Sequence, residues 1–317
     1  MGTEPVEEIL PGNWGKGSNL LELLKDFENL MNECVNYGTH IYKWINVSFE
    51  NEKDYPIAII LLVRHLLEVS LSIANLTRDS LIDPAKIQLR SLFETFLLIK
   101  YLTEKDFKKR SYAYLTTHYI KRKKLHEKFN PKTEVGKQFK SEMQGTILKD
   151  LKVHEEFDLD QASKNLEHLL NKREGFKEAY QEYNRIKKEY GKTHSSMTFF
   201  SLYSEIMNLE SLSKDLNLHE HYELIFRDAS KKVHASDVIT GYLSSDSSGQ
   251  NYIRSLKDPT DAQYVTFFTI LYLKITFELL IKKFRQDKSV HYMVWFKENI
   301  ETKFNQLAEE ELISIDV

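Results

Sequence analysis

A chain of 317 residues with only 11 Gly and 6 Pro puts about 5% of its length into residues that an average chain uses at roughly 12%. All-β and doubly wound α/β folds need many tight turns, so the shortage points to long helices joined by few connections. With 41% hydrophobic residues the chain can bury a sizeable core, which excludes disorder for most of it, and a formal net charge of −3 excludes a global commitment to nucleic acid or acidic membrane.

The single cysteine, Cys34, can form neither an internal disulfide nor a metal–thiolate cluster. Glu4, Glu7 and Glu8 with Pro5 and Pro11 are the wrong chemistry for a secretory signal. The most apolar run, Ile57 to Val63, is one-third of the length a bilayer needs and ends at Arg64 and His65. These features lead to the expectation of a cytoplasmic protein without membrane contact.

In chain order, residues 1–19 read as a flexible leader carrying Gly12, Gly15 and Gly17. Ser18 then caps a first amphipathic helix through Leu20, Leu24, Phe27, Leu30, Met31 and Cys34, closed by Gly38. Pro56 opens a helix to about Thr77 that is apolar on most sides, and Asp83-Pro84 opens another running to Tyr101. A Lys/Arg-rich helix spans Lys105 to Phe129 and stops at Asn130-Pro131; a polar stretch follows to about Glu156, then a charged helix from about Gln161 to Tyr190. Periodicity resumes over Phe199–Leu216 and His221–Tyr242. A solvated loop then begins at Ser244–Gly249 and continues to Pro259, before helices over Val265–Phe284 and Val290–Ala308. The expected fold is all-α, a bundle or array of roughly nine helices with no confident strand. Residues 20–317 form a single helical domain in this reading, with 105–195 as a helical appendage.

Three groups of polar residues stand out. Arg64 with Glu68, and Arg90 with Glu94, are four apart in apolar helices, in the order that stabilises an isolated helix less. Charges among so much Leu and Ile must be paired across helices or line a polar cleft. The second group is Arg227-Asp228 followed after five residues by His234: on an α-helix Arg227 and His234 fall within roughly 20° of each other, with Glu223 and Ser230 on the same stripe. A guanidinium can bind phosphate or a developing oxyanion and an imidazole can move a proton, which suits metal-free cleavage of a phosphodiester by the neighbouring 2′-hydroxyl. The bland alternative pairs Arg227 with Glu223 and leaves His234 at a helix end. Third, Lys100 to Lys140 carries a net +9, including Lys121, Arg122, Lys123 and Lys124, with Tyr112, Tyr114, Tyr119 and Phe129 interleaved. That pattern suits a single-stranded nucleic acid, unless the aromatics face the core.

Other chemistries are not supported by spacing. No His has a Glu three residues before it, there is no His-Glu-x-x-His, and His219 and His221 point away from each other on a helix. Neither a metal nor any other cofactor is expected.

Arg90-Ser91-Leu92-Phe93-Glu94, followed downstream by Tyr222-x-x-x-Phe226-Arg227-x-x-Ser230-x-x-Val233-His234-x-Ser236, resembles the bacterial domain-of-unknown-function 5677 family, over about Ile57–Tyr119 and Phe199–Leu280. That resemblance implies an α-helical cytosolic protein. The Arg-Asp-(five residues)-His element is also similar to the signature of HEPN domains, which are metal-independent ribonucleases, commonly dimeric, of toxin–antitoxin and antiphage defence systems. By that likeness Arg227 binds phosphate, Asp228 is the polar second residue and His234 is the general acid/base. RNA, a second copy of the chain and an antitoxin or defence protein are then the expected partners. The competing expectation is a non-catalytic helical interaction or ligand-binding module, in which Arg64, Glu68, Arg90, Glu94 and the Arg227 row are structural or bind a small ligand.

Overall fold

A computed structural model describes residues 18–52, 54–146, 158–190, 197–233, 243–245, 249–309 and 312–313. Among them are twelve helices: α1 (Ser18–Ser48), α2 (Ile57–Arg78), α3 (Ile82–Glu104), α4 (Phe107–Phe129), α5 (Glu134–Gln144), α6 (Leu159–Lys172), α7 (Phe176–Tyr190), α8 (Leu209–Asp215), α9 (219–233), α10 (Ala262–Phe284), α11 (Ser289–Asn299) and α12 (Glu301–Glu309). A short antiparallel pair, β1 (Leu243–Ser245) and β2 (Asn251–Ile253), joins Leu243 to Ile253 and Ser245 to Asn251. The fold class is all-α. The helix number exceeds nine for local reasons. The charged segment from 161 to 190 breaks at Gly175, which adopts φ +78°, and the last helix breaks at Ile300. An additional helix, α5, is nucleated where the Thr133 hydroxyl accepts from the Gly136 N–H. The segment expected to be an uninterrupted loop to Pro259 holds the β pair.

The chain forms two compact units. The first draws its described residues from Met1–Asn51, Ile59–Glu104 and Ser213–Val317, the second from Glu52–Ala58 and Lys105–Leu212. In the first, α10 packs on both α3 and α1, and its burial of Val265, Ile270, Tyr272, Leu273, Phe277 and Leu280 explains why it is apolar on most of its circumference. By length and apolarity α2 and α10 could each cross a membrane; 56% of each apolar window is buried inside the fold, as in a core helix. In the second unit α4 packs on α6 and α7. Its turn at Gly175 requires glycine, because φ is +78° and a Cβ there would lie 2.6 Å from Cδ2 and Cζ of the Tyr112 ring and closer still to Cε2.

Gly38 does not end α1, which continues ten residues further to Ser48. A glycine inside a helix loses about 1 kcal/mol relative to alanine. Here it admits two neighbours: a Cβ on Gly38 would sit 2.8 Å from Phe277 Cζ and closer still to Leu67 Cδ2. Both neighbours are buried, so neither can swing away freely. Gly38→Ala is therefore expected to lower unfolding free energy by about 1 kcal/mol or more, overpacking outweighing helix propensity. Urea unfolding checks this; a stabilised variant would show that Leu67 and Phe277 yield.

Candidate functional site

The segment carrying Arg227 is not a regular α-helix. α9 begins as an α-turn over His219–His221, becomes π-helical over Tyr222–Arg227 and returns to α over Asp228–Val233. A π-turn adds a residue to the i→i+4 ladder and advances everything after it by about 100° around the axis. It also displaces carbonyls from their usual partners, and the Leu224 carbonyl accepts from the Tyr264 hydroxyl at 3.3 Å. Burial first, then the Asp228 and Asp261 carboxylates, push the Tyr264 hydroxyl up to about 12, so it remains a donor at neutral pH.

Ile225, Phe226 and Ala229 are buried, while Arg227 and Asp228 are exposed. Tyr222 stacks on Phe226 with ring centroids 4.9 Å apart. Two guanidinium groups attach to this pair: Arg90, from α3, lies 4.2 Å from the Phe226 centroid, and Arg227 lies 5.8 Å from that of Tyr222. Arg227 Nε also donates to Glu223 at 2.7 Å, the bland pairing foreseen for it. An open cleft of about 490 Å³ lies here, lined by Glu223, Leu224, Arg227 and Asp228 of α9, Lys86 of α3, and Asp261 with Tyr264 at the start of α10. Lys86 Nζ meets Asp261 at 2.5 Å with only 12% of its side chain exposed. Lys86, Asp261 and Tyr264 went unnoticed in the sequence. The order Asp261-x-x-Tyr264 at a helix start is common, and nothing in spacing relates it to Lys86 or Arg227.

The other predicted residues divide. Arg64 and Glu68 are not buried: they form a surface pair at 3.1 Å with side chains 62% and 61% exposed. The apolar run around them marks the opposite, buried face of α2, and the expected interhelical network from α2 is not built. Arg90 and Glu94 are half-buried. The Arg90 Nε is buried without a hydrogen-bond partner among the described residues, and its guanidinium is held by the Phe226 ring. Ser230 bonds back to the Phe226 carbonyl of its own helix at 2.5 Å. His234 lies outside the described residues.

On α4, Lys121, Arg122 and Lys124 are exposed, whereas Lys123 reaches Glu167 at 3.2 Å and Glu127 at 3.8 Å. The aromatics of that helix turn towards other rings of the second unit. Tyr112 and Tyr119 meet Phe176 at 5.0 and 5.6 Å, Tyr114 meets Phe199 at 5.0 Å, and Phe129 meets Phe139 at 5.3 Å. They are packing residues, and α4 offers cations without a row of free stacking faces. A groove of about 470 Å³ in the same unit is lined by Lys108, Lys109, Glu174, Glu178 and Tyr203 among others, with Lys109 4.1 Å from the Tyr203 centroid. Its mixed charges single out no reaction.

The two histidines at the start of α9 part company. His219 stacks on Tyr222 and lies 3.7 Å from Glu223, and with Glu210 these residues bring one imidazole and two carboxylates within 4.8 Å of one another, a donor set of the kind that can hold a metal ion and one that the sequence spacing did not suggest. His221 enters the core, with Nδ1 3.0 Å from the hydroxyl of the fully buried Tyr272 and its ring over Phe93. Burial lowers its pKa from the ordinary 6.5, against a weaker upward pull from Glu220. The unfolded chain thus takes up this proton at higher pH than the folded chain. The contribution to stability is complete above about pH 6.5 and is lost as pH falls through that value towards the folded pKa. His118 is shifted in the same direction, so the measurement is a difference. Unfolding free energy between pH 7.5 and 5 should fall more steeply in the wild type than in His221→Asn; equal slopes would show that His221 titrates normally.

The model of the family of unknown function DUF5677 matches residues 57–251, a span that includes Arg90, Glu94, Arg227 and His234. No curated protein and no solved structure matches the chain. The likeness to HEPN domains rests on the Arg227-Asp228 to His234 spacing alone. With both motifs inside a match that covers well over half of its length, the chain belongs to the DUF5677 family.

Proposed function

We propose that the chain is a metal-independent RNA endonuclease whose phosphate-binding cation is Arg227. The observation that supports this reading best is the exposure of Arg227 and Asp228 at an open cleft, on a π-helical turn of the kind frequently found at functional sites. In the proposed reaction the 2′-oxygen of a ribose attacks the adjacent phosphorus and the bond to the 5′-oxygen breaks. A base accepts the 2′-hydroxyl proton and an acid returns one to the leaving 5′-oxygen, giving a 2′,3′-cyclic phosphate and a 5′-hydroxyl. His234 is assigned the proton transfer. Arg227 stabilises the charge developing on the non-bridging oxygens, and Lys86 supplies a second cation in the cleft. Toxin or antiphage biology, a partner protein and a cytoplasmic location accompany this proposal.

A second reading, a ligand-binding module without catalysis, draws on the charge balance. Lys86 and Arg227 share the cleft with Glu223, Asp228 and Asp261, and both cations touch carboxylates. A cleft so balanced suits a small zwitterionic or hydrogen-bonding ligand.

Incubating pure protein with a mixed RNA panel in chelator separates the two. The nuclease should leave 2′,3′-cyclic ends, and Arg227→Ala or His234→Ala should slow cleavage by roughly 10²-fold or more with an unchanged circular dichroism spectrum. Cleavage undiminished in both variants, or abolished by chelator, would remove the assignment. The exposed cations of α4 are proposed to track the RNA backbone. Reversing Lys121, Arg122 and Lys124 to Glu should weaken RNA binding and reduce the slope of log K against log salt by roughly 2. An unaltered slope would make them a solvated helix face.

A further inference from the structure

The exposed face of α2 does not look like the outer face of an ordinary core helix. Ile59, Leu62, Val63, Leu66, Ile73 and Ala74 are buried in the first unit. On the opposite side Leu61, Arg64, Glu68, Leu71 and Asn75 are all exposed, at successive steps of three, four, three and four residues. That alternation is the spacing at which two helices meet in a coiled coil, here with Leu61 and Leu71 flanking a charged centre in place of an all-apolar seam. Leu61 and Leu71 are 50% and 44% exposed, so two apolar side chains stand half open to solvent on either side of the Arg64–Glu68 pair.

The seam is also its own complement. Set two copies of α2 antiparallel about a two-fold axis at the level of Leu66. Leu61 of one copy then falls opposite Leu71 of the other, and Arg64 falls opposite Glu68, on both sides of the axis. The Arg64–Glu68 pair at 3.1 Å within each copy becomes a four-charge ring of alternating sign, closed above and below by leucine layers about 15 Å apart. A parallel arrangement would instead place Arg64 against Arg64 and Glu68 against Glu68. The charges thus select the antiparallel, isologous pairing over the parallel one. They also speak against a bilayer as the occupant, because two ions at the middle of the exposed face would enter hydrocarbon. We infer that the exposed face of α2 docks a second copy of this chain, as an antiparallel helix pair centred on reciprocal Arg64–Glu68 contacts. This inference is independent of any nuclease activity.

Light scattering of the full chain at tens of micromolar should give twice its 37.4 kDa mass. Arg64→Glu places four carboxylates at the axis and Glu68→Arg places four guanidinium groups there, so each variant alone should be monomeric. Mixed in equal amounts they are complementary at every contact and should form a heterodimer of wild-type mass. The double variant Arg64→Glu/Glu68→Arg should dimerise on its own. Both positions are at the surface, so circular dichroism should be unchanged throughout. A monomeric wild type would overturn the inference, as would dimers indifferent to both single changes, or failure of the mixture to restore the dimer. Co-sedimentation of the wild type with vesicles of phosphatidylcholine and phosphatidylglycerol, lost on Leu61→Asp, would assign the face to a membrane and overturn it too.

Discussion

The hydroxyl of Tyr272 sits at the centre of the first unit with no exposed surface, among Phe93, Phe96 and Phe268. Such a group costs about 1–3 kcal/mol if left unsatisfied. His221 satisfies it, and in doing so pins the first turn of α9 to the core. From that fixed start the six π-helical residues set the phase of the rest of the helix. Phe226 is turned onto Arg90, and Arg227 and Asp228 are turned to solvent. A plain α-helix from the same anchor would have rotated the later residues by about 100° and broken this arrangement.

The charges of the cleft are graded by solvent. The Lys86–Asp261 pair, with Lys86 largely covered, joins α3 to the start of α10 and holds the cleft wall. Arg227 and Glu223, both well exposed, make a contact that water screens. The covered pair therefore fixes the shape of the cleft, and the exposed pair is the looser of the two contacts. Arg90 belongs with the covered set, its charge held against a ring face and its Nε without an acceptor among the described residues.

In the second unit the same chemistry is divided by helix face. α4 turns Tyr112, Tyr114 and Tyr119 towards Phe176 and Phe199, and leaves Lys121, Arg122 and Lys124 outside. Interleaving along the chain is therefore not interleaving in space, since neighbouring residues on a helix are about 100° apart. The net charge of the segment survives folding as a surface property; the aromatic row does not.

Composition and periodicity determined the all-α class, the positions of α2, α3, α4 and α10, and the stop at Asn130, because these follow from turn chemistry and from which side of a helix is apolar. The same patterns were silent on burial of the remaining face. Arg64 and Glu68 read as buried because their neighbours are apolar, yet the neighbours fill one face and the charges stand on the other. Gly38 reads as a helix stop, and only the approach of Leu67 and Phe277 from distant parts of the chain makes it a helix interior. The Arg227 row was legible as a motif, but its π-helical phase and its meeting with Lys86, Asp261 and Tyr264 were not. Local sequence sets a helix's propensity and polarity; where its side chains point, and what they meet, is decided by contacts between segments far apart in the chain.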